Sequence, residues 1–192
     1  MTELASTSST VAKKQLTGEL LEDLQATLID MGIPEKKARY HSLQIFKWVY
    51  QRFVSDFDQM TDLSKVVRAA LKERYDFTLL PKVFEQISQD GTRKFLFQLK
   101  DGKTIESVLI PTEDRLTICI SSQVGCAMGC RFCETAQMGL MRHLSAREIV
   151  AQWWTARHML SGPRAIDISN IVFMGMGEPL DNFDAVTQAI RI

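Results

Sequence analysis

Hydrophobic residues in the first part of the chain recur at the 3.6-residue period of an α-helix, which predicts three helices between residues 15 and 76. The first helix stops at Gly32 and Pro34, and its apolar face consists of Leu16, Leu20, Leu21, Leu24 and Leu28. The second has an apolar stripe of Ile45, Phe46, Val49, Tyr50 and Phe53. The third spans residues 64–75, with the inward residues Val66, Val67, Ala70 and Leu71. The Trp and Tyr residues of this region are expected in the core, because aromatic residues at helical spacing usually pack there.

The pattern changes to strands after residue 80. Asp90-Gly91 and Asp101-Gly102 are two Asp-Gly pairs, the strongest short signal for a β-hairpin, because a type I′ turn needs positive φ at both central residues. They separate three predicted strands near 82–89, 92–99 and 104–110, and the middle one directs inward Phe95, Phe97 and Leu99. The sequence therefore predicts a small antiparallel meander.

Strands and helices alternate in the last third of the chain. Residues 115–122, RLTICISS, alternate as a strand and lead into a cysteine-rich loop. Ser145 and Glu148 have capping-box spacing, and the helix they begin has one apolar face of Ile149, Val150, Trp153 and Trp154. The short apolar run 171–174 predicts a strand buried on both faces of a parallel sheet, and a further helix is expected from residue 181. The fold class is therefore α/β, and this part is the start of a parallel sheet or barrel.

Composition restricts the kind of protein. The chain has 192 residues, 45% of them hydrophobic, which is enough for a core, and no apolar run reaches the roughly 18 residues of a membrane span. Its N-terminus is no secretory signal, so we expect a cytoplasmic protein with reduced thiols. The formal charge is zero, from 23 basic and 23 acidic residues, and gives no electrostatic reason for a nucleic-acid partner. The predicted division is a mobile tail at 1–14, a helical domain at 15–80, a meander at 81–112 and an α/β part at 113–192.

Three of the four cysteines, Cys126, Cys130 and Cys133, lie within eight residues. A buried helical stripe is one interpretation, but Gly125 and Gly129 would each cost such a helix about 1 kcal/mol. A zinc site is the second, and would need Cys119 as its fourth ligand. The third is a [4Fe–4S] cluster held by three thiolates, which leaves one iron open to a ligand from outside the protein.

The segments around these cysteines resemble a known family. CISSQVGCAMGCRFC with AQMGL (residues 119–140) and VFMGMGEPLDN (residues 172–182) are similar to the bacterial radical S-adenosylmethionine (SAM) rRNA methyltransferases that act on carbon 2 of an adenine. Relatives that act on carbon 8 share both motifs. IFKWVY and FDQMTDLSK resemble the N-terminal domain of the same family, so the resemblance runs from about residue 15 to residue 192. It implies a helical, RNA-binding-like domain at residues 15–80 and a meander, followed by the first βα units of an incomplete radical-SAM (β/α) barrel.

The resemblance implies a role for each matching residue. The cluster ligands would be Cys126, Cys130 and Cys133, with SAM chelated at the open iron, and the residues that hold SAM through its amino group would be Gly177 and Glu178. Glu106 matches the family's proton acceptor. It alternates onto the same face as the apolar Val108 and Ile110, and a carboxyl group on a half-apolar face is suited to act as a general base. Cys119 matches the cysteine that helps to resolve a covalent protein–RNA intermediate.

The resemblance also implies partners and a reaction. The substrates would be large-subunit rRNA and tRNA, with an electron donor for the cluster, no membrane, and a monomeric enzyme. In the family, a cysteine near the C-terminus carries the transferred methyl group, and no residue of this chain matches it. Residues 116–192 suffice for about two βα units, whereas a complete barrel takes roughly 250 residues. We therefore expect a truncated chain that is inactive in methyl transfer; the alternative is an iron- or zinc-stabilised RNA-binding module without catalysis.

Overall fold

The computed structural model describes residues 13–160 and 167–192. The predicted mobile tail lies outside the described residues up to residue 12. Lys14, however, is part of strand β1 (Lys14–Gln15), which pairs in parallel with β2 (Tyr75–Asp76), so the tail ends earlier than predicted. In the described part of the chain, no helix has the length and hydropathy that a membrane crossing needs.

The N-terminal part is helical, as predicted, but its first helix is shorter. Helix α1 spans Leu21–Asp30, α2 spans Glu35–Phe46 and continues as a π-helical turn (Lys47–Gln51), a 3-10 turn covers Phe57–Gln59, and α3 spans Lys65–Arg74. Leu16 is buried without being helical, because Gly18 (φ +88°) bends the chain against a later helix: a Cβ at Gly18 would lie 2.6 Å from Arg147 Cα.

Two predictions of burial in this domain are wrong. Val66 is 78% exposed, because it lies in the first turn of α3 on the side away from the buried Leu71. Tyr40 is 63% exposed, because α2 buries a different face, formed by Ala38, Ser42 and Ile45. Aromatic spacing alone did not identify the face that packs.

The central element is a five-stranded sheet in the order β3-β4-β5-β6-β9. The meander is confirmed: β3 (Lys82–Ile87), β4 (Arg93–Gln98) and β5 (Thr104–Pro111) pair antiparallel, and Phe95, Phe97 and Leu99 are buried. Strand β6 (Leu116–Cys119) is antiparallel to β5 and parallel to β9 (Ile168–Val172). The described strands therefore form an open mixed α/β sheet rather than a closed barrel.

Strand β9 is less buried than predicted. Ile171 is 48% exposed and Met174, just beyond the strand, is 80% exposed. Within the described residues β9 pairs with β6 alone and forms an edge of the sheet, so its apolar run is not covered on both faces.

Helix α5 (Ala146–Met159) joins the two halves of the molecule. It begins with the predicted capping box, in which the Ser145 hydroxyl accepts from the Glu148 N–H and the Glu148 carboxylate accepts from the Ser145 N–H. Ile149 belongs to the core under the sheet, whereas Trp154 belongs to the core of the helical domain. The chain ends with a 3-10 turn (Pro179–Asn182) and helix α6 (Phe183–Arg191).

Gln152, on α5, is fully buried and connects the helix to the end of β6. Its side-chain oxygen accepts from the Ser121 N–H at 2.8 Å and from the Ser107 hydroxyl at 2.9 Å, and its NH₂ donates to the Ser121 carbonyl at 2.9 Å. The Gln152 amide thus makes the two hydrogen bonds to the backbone of Ser121 that a neighbouring β-strand would otherwise make.

Replacing Gln152 by Met keeps the size of the side chain but leaves these buried groups without partners. Each such group costs about 1–3 kcal/mol, so we expect the free energy of unfolding to fall by roughly 2–5 kcal/mol in urea titrations. Gln86→Met, on the exposed side of β3, is the matched control and should change stability by less than about 0.5 kcal/mol. Equal stability of the two variants would contradict this account.

Candidate metal centre

The three-cysteine loop is closed by a short strand pair at its base. Strand β7 (Gln123–Val124) precedes the loop, β8 (Arg142–His143) follows it, and the two pair antiparallel. Gly125 (φ +77°) sits directly against the far side of the loop, where an added Cβ would lie 1.8 Å from the Gly139 carbonyl oxygen. The Cys126 N–H donates to that same oxygen at 3.2 Å. A side chain at position 125 would therefore separate the two ends of the loop.

The cysteines differ in exposure. Cys126 is buried, and its sulfur accepts a hydrogen bond from the Met128 N–H at 3.5 Å; Cys130 is exposed, and Cys133 is partly exposed. The Cys133 N–H donates to the Cys130 carbonyl at 3.1 Å, and the short helix α4 (Glu134–Gln137) follows. The stretch from residue 126 to residue 133 is not helical, so the interpretation as a buried helical stripe is wrong.

The donor chemistry of this loop fits a metal–sulfur group, since three thiols, two of them accessible, lie on one glycine-flanked loop. The side chains are not gathered into a ligand set, however: among residues 13–160 and 167–192, no three His, Cys, Asp or Glu groups are placed so that they could hold a metal ion. The loop would have to bring Cys130 and Cys133 towards Cys126 to form the centre.

The second motif forms a turn that is bonded to the end of β6. The Ser121 hydroxyl accepts from the Met176 N–H at 2.9 Å, and the Ser122 N–H donates to the Met176 carbonyl at 2.9 Å. Gly175 makes this approach possible, because a Cβ there would lie 2.8 Å from the backbone of Ile120. Gly177 and Glu178 are thereby held next to the residues that lead into the cysteine loop.

Gln123 fixes the position of this turn and was missed in the sequence. It is fully buried, and its side-chain oxygen accepts from the Glu178 N–H at 2.8 Å. Its NH₂ lies 2.8 Å from the Asp181 carboxylate and 3.0 Å from His143 Nδ1. The available signal was a polar residue between a strand and the first cysteine, in SSQVGC, but its partners are 20 to 58 residues away in sequence.

Glu178 already has local partners. Its carboxylate accepts from the Leu180 N–H at 3.0 Å and so caps the 3-10 turn that follows. Gly177 has a left-handed backbone (φ +99°), and a Cβ on it would lie 2.5 Å from Gln123 Cβ. Glycine is therefore required at this position both by its conformation and by the space that Gln123 occupies.

Glu106 and Cys119 lie on the same face of the sheet. Cys119 pairs with Val108, two residues from Glu106, and this face is opposite to the one on which Ser107 contacts α5. The face is less apolar around Glu106 than expected: the Glu106 side chain is 43% exposed and lies 3.2 Å from Lys94 Nζ, and Ile110 is 38% exposed. Glu106 does share a face with Val108 and Ile110, as predicted, but this is not the core side of the sheet, because β5 turns residues 105, 107 and 109 to the core.

Cys119 is buried at the end of β6. Burial raises the pKa of its thiol above the usual value, partly opposed by a hydrogen bond from the Met174 N–H. The thiol form therefore persists to higher pH than in an exposed cysteine, and a change in its surroundings would be needed to make it a strong nucleophile.

Gly177→Ala tests the packing of the second turn. Its control is Gly102→Ala, at a similar φ of +81° with nothing within 4 Å of the added Cβ. Conformational strain alone should cost the control about 1–2 kcal/mol of unfolding free energy. Gly177→Ala should cost clearly more, because Gln123 must move. Urea titrations that give the same loss for both variants would show that the contact with Gln123 is unimportant.

Comparison with known proteins finds RNA methyltransferases, both for the helical domain alone and for most of the chain. Residues 15–76 match the model of the ribosomal RNA large subunit methyltransferase N-terminal domain. Over 173 residues the chain is 51% identical to the dual-specificity RNA methyltransferase RlmN of Syntrophotalea carbinolica. This match covers 90% of this chain and 44% of that protein. For the protein of the same name from Geobacter sulfurreducens, the identity is 48%, covering 92% of this chain and 46% of that protein.

A solved structure agrees with the sequence matches. The crystal structure of a radical SAM methyltransferase from Sphaerobacter thermophilus superimposes with a TM-score of 0.78 at 44% identity, and covers 93% of this chain and 51% of that chain. The chain thus spans about half the length of the relatives that it matches. The resemblance found in the sequence is thereby confirmed: over about nine-tenths of its length, this chain is similar to dual-specificity RNA methyltransferases and to a radical SAM methyltransferase.

Proposed function

We propose that this chain provides the cluster- and SAM-binding part of a radical-SAM methyltransferase that acts on carbon 2 of an adenine in large-subunit rRNA and in tRNA. One observation carries the proposal: the GMGEP turn is hydrogen-bonded to the end of β6, directly before the three-cysteine loop. Two motifs that are about 50 residues apart in the sequence therefore meet at one end of the sheet, where the ligands of parallel α/β sheets bind.

The residues divide into a cofactor part and a substrate part. The cluster would be held by Cys126, Cys130 and Cys133. With SAM bound, a [4Fe–4S] cluster supplies a carbon radical, which is needed because an aromatic C–H is too poorly nucleophilic for ordinary SAM alkylation. The backbone at Gly177 and Glu178 would bind the amino group of SAM, and Gln123 keeps that backbone in place through the Glu178 N–H.

Glu106 and Cys119 would act on the RNA adduct. They share one face of the sheet. Glu106 is open to a substrate that lies across β5 and β6, whereas the buried Cys119 would have to become exposed to reach it. The exposed Glu106 carboxylate would accept the proton that the adenine carbon loses, and Lys94 Nζ lies 3.2 Å from it. Cys119, at the end of β6, would then help to resolve the covalent protein–RNA intermediate.

The cofactor assignment is tested by anaerobic reconstitution of the full chain with iron and sulfide. We expect about four irons per chain, an EPR spectrum that changes when SAM is added, and 5′-deoxyadenosine after reduction. Cys130→Ala should lose all three signals, since it removes a cluster ligand. Cys119→Ala is the matched control and should keep them. A colourless chain that holds one zinc ion would instead support the RNA-binding module without catalysis.

We also propose that this chain does not complete methyl transfer by itself. It has four cysteines, of which three are assigned to the cluster and one to resolution of the intermediate, so no cysteine remains to carry the methyl group. The reconstituted chain, incubated with rRNA, SAM and a reductant, should release 5′-deoxyadenosine without multiple turnovers of methylated adenine. Mass spectrometry of the digested RNA checks this, and catalytic amounts of 2-methyladenosine would refute it.

A further inference from the structure

Charge is strongly segregated within the helical domain, although residues 1–80 as a whole are neutral. Helix α1 carries Glu22, Asp23 and Asp30 and no basic residue. The stretch from residue 36 to residue 52, which forms nearly all of α2 and the π-helical turn, contains no acidic residue and five basic ones: Lys36, Lys37, Arg39, Lys47 and Arg52. A neutral sum therefore conceals one cationic helix.

The exposed side of α2 combines these cations with an aromatic side chain. Lys36, Tyr40, Leu43 and Lys47 follow one another at helical spacing, opposite to the buried Ala38 and Ile45, and Arg39 flanks the row. Tyr40 is 63% exposed and Leu43 is 43% exposed. We call this surface, formed by Lys36, Arg39, Tyr40, Leu43 and Lys47, the α2 face; from residue 36 to residue 46 the helix is about 15 Å long.

The cations of this helix are not neutralised by neighbours. Within the part of the chain that the structure describes, none of the five basic residues forms an ion pair, whereas Lys72 pairs with Asp58 and Arg74 with Asp30. Arg52 instead lies over the Trp48 ring, with 4.0 Å from its guanidinium carbon to the ring centre. Glu35, the first residue of α2, is the one acidic side chain of this helix, so the α2 face offers a net positive potential to a partner.

We propose that the α2 face is a docking surface for RNA, in which Lys36, Arg39 and Lys47 bind backbone phosphates and Tyr40 stacks on an unpaired base. This deepens the proposed function and rests on it. A row of cations interrupted by an exposed aromatic ring matches the alternation of phosphates and bases in an RNA strand. A lipid surface fits less well, because the apolar side of α2 is already buried in the domain and leaves only Tyr40 and Leu43 exposed.

The test measures binding of the full chain to a fluorescent RNA stem-loop by anisotropy at several salt concentrations. The double variant Lys36→Gln/Lys47→Gln should bind more weakly, and the slope of log K against log salt should be less steep by about 1.4–1.8, because each phosphate contact contributes about 0.7–0.9. Tyr40→Ala should lose about fivefold or more in affinity with an unchanged slope, and Tyr40→Phe should restore it. The matched control, Lys72→Gln/Lys82→Gln, removes the same charge from two ion-paired lysines and should keep the slope.

Each outcome decides the proposal. A double variant that keeps the slope of the control would overturn the α2 face as the docking surface and leave the proposed function standing. The same holds if the chain binds no RNA but still forms 5′-deoxyadenosine from SAM, whereas loss of that product as well would overturn the proposed function. Polyglutamate that competes as well as RNA of equal charge would show an acidic polypeptide to be the partner and would refute the RNA assignment. Circular dichroism melts of all variants check that the substitutions leave the fold and its melting temperature unchanged.

Discussion

The arrangement of the site depends on how the backbone of Ser121 is satisfied. Beyond Cys119 the chain leaves β6 with its polar groups buried, and the Gln152 amide bonds both the N–H and the carbonyl of Ser121. The Ser121 hydroxyl is then free to donate to the Glu106 carbonyl at 2.6 Å and to accept from the Met176 N–H. One side chain on α5 thus helps to place the strand of the proposed base, the start of the cysteine loop and the proposed SAM-binding turn relative to one another.

The same helix connects the helical domain to the sheet that carries the proposed site. Arg147, at the start of α5, is ion-paired with the buried Glu19. Gly18 packs against the backbone of Arg147, so closely that an added Cβ would lie 2.6 Å from Arg147 Cα. Near its end, Trp154 is enclosed by the helical domain, and His158 lies 3.1 Å from the Phe53 carbonyl oxygen. An RNA held on α2 would therefore be held relative to β5 and β6 as well, because α5 contacts both units over its whole length.

Local patterns allowed the prediction of the elements whose stability is local. The Asp-Gly hairpins, the alternation of Phe95 and Phe97, and the capping box of Ser145 each need only neighbours in sequence, and all three are confirmed. The turn type is not, because Gly91 and Gly102 have positive φ but Asp90 and Asp101 do not, so neither turn is type I′. The cysteine and GMGEP motifs could be found by resemblance, but their contact could not, because it runs through Gln123 and its distant partners. The prediction of burial was wrong at Tyr40 and at Ile171. The sequence shows that these residues are hydrophobic, but it does not show which other elements pack against them.

Net charge misled the sequence interpretation for a related reason. Residues 1–80 contain 11 basic and 11 acidic side chains, which suggested that nothing in this region attracts a polyanion. In the folded protein, four of these acidic residues form ion pairs with basic residues outside α2: Glu19 with Arg147, Glu22 with Arg191, Asp30 with Arg74 and Asp58 with Lys72. Because these four acids are paired with cations outside α2, and Glu35 is the one acidic residue of that helix, the charge that a partner meets there is net positive.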